Sequence, residues 1–197
     1  MDLTNEVANR GTGAGGANTN LYGKSFEEKT NNEYKLIEQG FVKTNITNKT
    51  KNDYYLYKEF EDRSTLFITQ GRLKRYLKMT YDIDICRNPD EAYIIHYKTG
   101  KIVVKILEKK HQIKEGSVET KLWSGPSLKR EYEIFLGSMF EVDYAFCLSD
   151  FFKKKFESNN DKKYNALKII LQESNIEVLF GDDDYYFDTL NNWINNS

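Results

Sequence analysis

The stretch from Ala92 to Leu107 constrains the fold more than any other. It reads Ala92-Tyr-Ile-Ile-His-Tyr97, then Lys98-Thr-Gly-Lys101, then Ile102-Val-Val-Lys-Ile-Leu107. Two runs rich in β-branched and aromatic residues flank a short polar turn that carries a glycine, which is the pattern of an antiparallel hairpin. Further strands are expected around Phe41–Ile46, Tyr54–Phe60, Thr65–Thr69, Val142–Leu148 and Ile176–Phe180. Helical patterns cover Ser25 to about Gln39 (Ser25 as N-cap, Gly40 as stop), Arg72–Lys78, Ser117–Leu122, Ser127–Leu136, Phe151–Phe156, Lys162–Glu173 and Tyr185–Ile194. Gly125-Pro126 is expected to interrupt the central helical pattern and Gly137 to end it. This succession predicts a mixed α/β layer fold, a β-sheet flanked by helices, without internal repeat or splitting linker.

At 197 residues the chain fits a single domain with one sizeable core. A hydrophobic fraction of 39% with 14% aromatics excludes a mainly disordered chain. No apolar run reaches membrane-spanning length, and the N-terminus lacks the basic start and apolar stretch of a secretory signal, so a cytoplasmic protein is expected. Cys86 and Cys147 lack metal-ligand spacing and read as free structural thiols. Residues 1–24, with GTGAGGANTN, read as a Gly/Asn-rich arm ahead of a domain over 25–197. The arm is not a phosphate-binding loop, because it lacks a closing Gly-Lys-Ser/Thr and no strand precedes it. A net charge of −1 gives no bulk signal for nucleic acid, yet the signs are uneven. Lys105, Lys109, Lys110, Lys114, Lys121, Lys129 and Arg130 crowd the centre, and Asp182 to Asp184 lie near the end. A solvated mixed-charge surface is the simpler account of such a distribution.

Chemistry concentrates at the ends of the hairpin. Asp90 falls at the start of its first strand and Glu108 at the end of its second, so antiparallel folding brings the two carboxylates together. Glu108 and Lys110 are two apart on an extended strand and share a face, whereas Lys109 projects from the other. Two carboxylates and an ammonium are what phosphodiester hydrolysis requires. Hard oxygens hold Mg²⁺, and the ammonium orients the attacking water and offsets developing charge. The Lys109 backbone carbonyl is a candidate extra ligand. Read from the residues alone, the same set also fits a polar hairpin end with a capping aspartate and a surface ion pair.

Pro89-Asp90 followed by Glu108-Lys109-Lys110 resembles the PD-(D/E)XK nuclease superfamily, and type II restriction endonucleases in particular. The likeness extends to Gly13-Ala-Gly-Gly-Ala-Asn-Thr-Asn20 with Gly23-Lys-Ser-Phe-Glu27, and to Gln112, Glu115-Gly-Ser-Val-Glu-Thr-Lys-Leu122 and Gly125-Pro-Ser-Leu-Lys-Arg-Glu-Tyr132. It implies a restriction-endonuclease-like sheet and Mg²⁺-dependent cleavage of double-stranded DNA at a short specific sequence, leaving a 5′-phosphate and a 3′-hydroxyl. It also implies a homodimer matched to a palindromic site, and a DNA methyltransferase in the same system to protect the host. Within it Glu27 becomes a third acidic group facing the metal site; a first-turn glutamate favoured by the helix dipole is the alternative. Gln112 becomes a contact to the scissile phosphate, if the strand continues that far, or else satisfies a neighbour. Lys121, Lys129 and Arg130 become phosphate contacts, or ordinary helix-surface charges. A junction-resolvase-like repair nuclease and a non-catalytic DNA-binding module of the same fold are the competing functions.

His96 and His111 lack partners at ligand spacing and are not expected to bind metal. Trp123 and Trp193 read as core or interface anchors. The Asp182-Asp-Asp184 run reads as a cap for the last helix.

Overall fold

The central strands, buried on both faces, need partners along both edges, and seven strands pair into one sheet in strict chain order. The computed structural model describes residues 24–47, 52–114 and 116–196. Strands β1 (Val42–Asn45), β2 (Tyr54–Glu59), β3 (Arg63–Thr69), β4 (Glu91–Tyr97) and β5 (Ile102–Lys110) form an antiparallel meander. Strands β6 (Phe140–Leu148) and β7 (Ile176–Phe180) then run parallel to β5. Parallel neighbours require long crossovers. Helices α4 (Val118–Trp123) and α5 (Gly125–Leu136) bridge β5 to β6, and α6 (Asp150–Glu157) and α7 (Lys162–Glu173) bridge β6 to β7.

These crossovers share one face of the sheet with α3 (Gly71–Tyr81), through Leu73, Leu77, Leu122, Tyr132, Phe152 and Leu167. The other face is covered by α1 (residues 24–29), α2 (Glu33–Glu38) and α8 (Tyr186–Asn195), through Phe26, Leu36, Tyr186, Leu190 and Trp193. The protein is thus a single-domain α/β fold with a mixed sheet between two helical layers, as the element order predicts. No helix among the described residues is long and apolar enough to cross a membrane.

The hairpin forms where expected, with Glu91 opposite Leu107 and His96 opposite Ile102. Gly100 adopts φ +91° in its turn, a conformation that a side chain disfavours. Four local expectations change. The long first helix is two short ones, because Thr30 Oγ1 bonds to the Phe26 carbonyl (2.7 Å) and Asn31 Oδ1 accepts from the Glu33 amide (2.9 Å). Such side-chain bonds compete with continued helix. Ser25 lies inside a helix that already includes residue 24, rather than ahead of it as a cap. Of the predicted arm over 1–24, only Lys24 falls among the described residues, and it is helical. Strand β5 runs to Lys110 instead of Leu107, since the parallel ladder to β6 continues through Lys110 opposite Leu148. The central helical pattern is interrupted as expected, at Ser124, and Gly125-Pro126 opens α5, where proline's missing N–H does no harm. A Cβ on Gly125 would come 2.8 Å from the Phe146 ring, so glycine lets this crossover lie close to the sheet.

The basic centre also resolves differently from its sequence appearance. Lys105 is buried, and its ammonium donates to Asp143 Oδ2 (2.8 Å) and to the carbonyls of Trp193 (2.8 Å) and Asn196 (2.7 Å). It ties the C-terminal end of α8 to β5 and contributes nothing to a basic face. Cys147 is a core thiol, pushed up to about 12 by burial, whereas Cys86 is exposed. Lys105→Met strips the donor from these acceptors and is expected to lower unfolding free energy by about 2 kcal/mol. Urea denaturation followed by tryptophan fluorescence measures this, and an unchanged midpoint would contradict the anchoring role.

Candidate functional site

The β4–β5 ladder ends at the pair Glu91 and Leu107, so Asp90 and Glu108 stand one step beyond it on neighbouring strands. The Lys109 backbone N–H donates to Asp90 Oδ2 at 2.7 Å, fixing that carboxylate against β5. The Lys110 ammonium lies 2.6 Å from Glu108 Oε2 and 3.7 Å from Asp90 Oδ2. Strand alternation puts Lys109 on the reverse side, where it meets Glu91 at 2.6 Å. The hairpin thus brings Asp90, Glu108 and Lys110 together, as the sequence spacing predicts. All three side chains remain partly accessible, at 23%, 17% and 15%.

Glu27 approaches the same edge from α1. Burial holds its carboxyl above the usual glutamate range, and the Asp90 charge adds to this, while Lys109 and Lys110 pull the other way. Burial likewise raises Glu108, Lys110 offsets part of that rise, and Asp90 adds to it. For Lys110, burial favours the neutral amine, but Glu108, Asp90 and Glu27 outweigh it and hold the ammonium above its ordinary range. These mutual effects define one electrostatic unit of three acids and one cation.

Helix α1 reaches this position because residue 181 is glycine. A Cβ there would fall 2.6 Å from Thr30 Cγ2 and 2.7 Å from both Cys147 Sγ and Phe26 Cζ. The Asp182 carboxylate next to it accepts from Lys29 Nζ (2.8 Å) and from the Asp150 amide (2.8 Å). It caps α6, not α8 as the sequence suggested, because the chain leaving β7 passes the start of α6 before turning. Asp183 pairs with Lys153 at 2.7 Å.

The other predicted residues are placed differently. Strand β5 stops at Lys110, so Gln112 does not share its face. Its backbone is latched to Ser149, whose hydroxyl accepts from the Gln112 amide (3.1 Å) and donates to its carbonyl (3.0 Å). The buried Gln112 side-chain amide has no hydrogen-bond partner among the described residues. Lys129 donates to the carbonyls of Ser174 (3.1 Å) and Asn175 (3.2 Å) at the end of α7, Arg130 pairs with Glu133 (2.8 Å), and Lys121 is exposed on α4. No hydrogen bond or ion pair among the described residues links these three to Asp90, Glu108 or Lys110. His96 meets the Tyr81 hydroxyl at 2.6 Å, and His111 packs on Phe26 with ring centroids 5.3 Å apart.

Several residues around the site lack a short motif. Arg87 forms a forked pair with Glu131 (2.9 and 3.0 Å) and its charge pulls Glu108 down. The Tyr132 and Tyr144 hydroxyls are buried without a partner among the described residues, and burial, then Glu108, raises both phenols. Glu91 and Lys109 were legible in principle, as opposite charges at facing strand ends on the side away from the site.

Among the described residues, no three His, Cys, Asp or Glu side chains converge as a ready-made metal cage. A hard divalent cation such as Mg²⁺ keeps several waters and needs only one or two carboxylates. The Asp90 and Glu108 pair, straddling a cationic ammonium, fits that requirement. Comparisons with protein-family models, curated proteins and solved structures return no match to this chain.

Two measurements probe the site directly. In Lys110→Met the Glu108 carboxyl loses its largest downward influence, so carboxyl-carbon NMR titration is expected to show its pKa moving further up. Gly181→Ala overpacks the seat of α1 and is expected to lower stability by about 1–3 kcal/mol in calorimetric melts; a neutral result would mean that α1 is not held there.

Proposed function

We propose that the protein is a PD-(D/E)XK-type nuclease with a restriction-endonuclease-like fold, cleaving double-stranded DNA at a specific short sequence. The observation that carries this reading is the meeting of Asp90, Glu108 and Lys110 at one sheet edge, with the ammonium 2.6 and 3.7 Å from the two carboxylates. The mixed sheet covered by helices on both faces supports it further. Asp90 and Glu108, with the Lys109 carbonyl, would hold Mg²⁺, which when bound supplies a lowered water pKa and a neutralising charge at the phosphate. Lys110, kept protonated by its acidic neighbours, acts as a fixed donor and positive charge toward the attacking water and the phosphoryl oxygens. Glu27 orients a water at the same edge. In-line attack forms the new P–O bond and breaks the bond to the 3′ oxygen, leaving a 5′-phosphate and a 3′-hydroxyl.

On this reading the working unit is a homodimer in the cytoplasm, its two-fold axis matching a palindromic target, alongside a methyltransferase that protects host DNA. Lys121, Lys129 and Arg130 remain proposed phosphate contacts, the latter two after exchanging their present partners, and Gln112 offers its side-chain amide, without a partner among the described residues, to the DNA backbone.

Incubation of the protein with unmethylated phage DNA and Mg²⁺ is expected to give discrete fragments. Asp90→Ala, Glu108→Ala and Lys110→Met should each slow cleavage by roughly 10²–10³-fold, with DNA binding retained in gel shifts. Preferential cutting of branched DNA would instead indicate a resolvase-like enzyme, and binding without cutting a non-catalytic module.

A further inference from the structure

The reverse side of the site strands holds a second, hidden charge pair. Glu91 and Lys109 are adjacent in sequence to Asp90, Glu108 and Lys110, yet their side chains are only 2% and 3% exposed. Replacing such a buried pair by apolar residues of similar volume is often neutral or stabilising. Stability alone is therefore a weak reason for these two residues. Their bonds reach three separate segments. The Lys109 ammonium donates to Glu91 Oε1 (2.6 Å) and to the Glu27 carbonyl (3.4 Å), while the Lys109 amide holds the Asp90 carboxylate (2.7 Å). Glu91 accepts from the Asn32 amide (3.3 Å) and the Tyr93 hydroxyl (3.1 Å), and that hydroxyl accepts from Asn32 Nδ2 (3.1 Å).

We propose that the buried Glu91–Lys109 pair is a positioning device that sets Glu27 and Asp90 against Lys110, an inference that rests on the catalytic reading of that edge. Apolar side chains could fill the same volume but could not grip the Glu27 carbonyl or the Asn32 turn. Glu27 sits on a short helix that is also held by Phe26, seated against Gly181 and His111, by Lys29, paired with Asp182, and by Thr30, which bonds back to Phe26. The pair adds a hydrogen-bonded link from that helix to the strands that carry the remaining groups. Lys109 thus fixes one acid through its side chain and another through its backbone. The device acts from behind: Glu91 follows Asp90 and Lys109 precedes Lys110 in the chain, while Glu27 is reached across space.

The discriminating variant is the double substitution Glu91→Leu with Lys109→Met. Each single change strands a buried charge and is expected to lower the melting temperature, whereas the double removes both charges and should recover it. With stability recovered, the double variant is expected to lose about 10–100-fold in kcat with little change in KM, and a similar factor in Mn²⁺ affinity measured on the protein without DNA. Amide exchange at Thr30 should also quicken. Tyr93→Phe, which removes one hydroxyl and keeps the ring, tests the same network if the double variant does not fold; kcat and Mn²⁺ affinity should fall together by a few-fold. Wild-type kcat, Mn²⁺ affinity and Thr30 exchange in a stably folded double variant would overturn the inference, as would an unchanged Tyr93→Phe protein. Wild-type protein that cuts no DNA would sink the nuclease reading instead, and Thr30 exchange in the folded variants would still decide whether the pair holds α1.

Discussion

Strand β5 must be paired along both edges and covered on both faces, and the rest of the molecule is arranged around that requirement. Its antiparallel partner β4 is reached by a tight turn, while its parallel partner β6 is reached only after α4 and α5 cross the sheet. The crossover helices then cover one face, which leaves α1, α2 and α8 for the other. Because β6 supports β5 through Lys110, the strand stays extended past the end of β4. That extra length carries Glu108, Lys109 and Lys110 in strict alternation to the sheet edge.

Alternation at this edge also solves an electrostatic problem. Five charged side chains occupy two short strand ends, and burying them together would be prohibitive unless each met an opposite charge. The two faces divide the load. Glu91 and Lys109 neutralise each other out of solvent, while Asp90 and Glu108 share Lys110 on the open side. The open side keeps an excess of negative charge, raised further by Glu27. Such an excess favours a cation, and the closed side is already satisfied.

Much of this was legible beforehand for a simple reason. The hairpin, the bounds of Lys162–Glu173 and Ile176–Phe180, and the shared face of Glu108 and Lys110 all follow from periodicities of a few residues. Other expectations failed where a distant residue competes. The apolar pattern from Ser25 to Gln39 fits one helix, yet Thr30 and Asn31 break it by bonding to Phe26 and Glu33, and distant Glu91 holds the Asn32 amide at the break. Gln112 lies at an even spacing from Lys110, but the ladder ends first and Ser149 redirects the chain. Lys105 looks like part of a basic patch until the end of α8 arrives to accept its hydrogen bonds.

The sequence by itself determined which residues share a face and where the chain turns, because strand alternation and turn chemistry are local properties. It thereby determined that Asp90, Glu108 and Lys110 would meet. Only the tertiary structure decided what lies behind and beside them: Glu27 brought in over Gly181, Glu91 closed onto Lys109, and Asp182 spent on capping α6. Those contacts join residues far apart along the chain. Their partners are chosen by how the layers pack around β5, which no short-range pattern encodes.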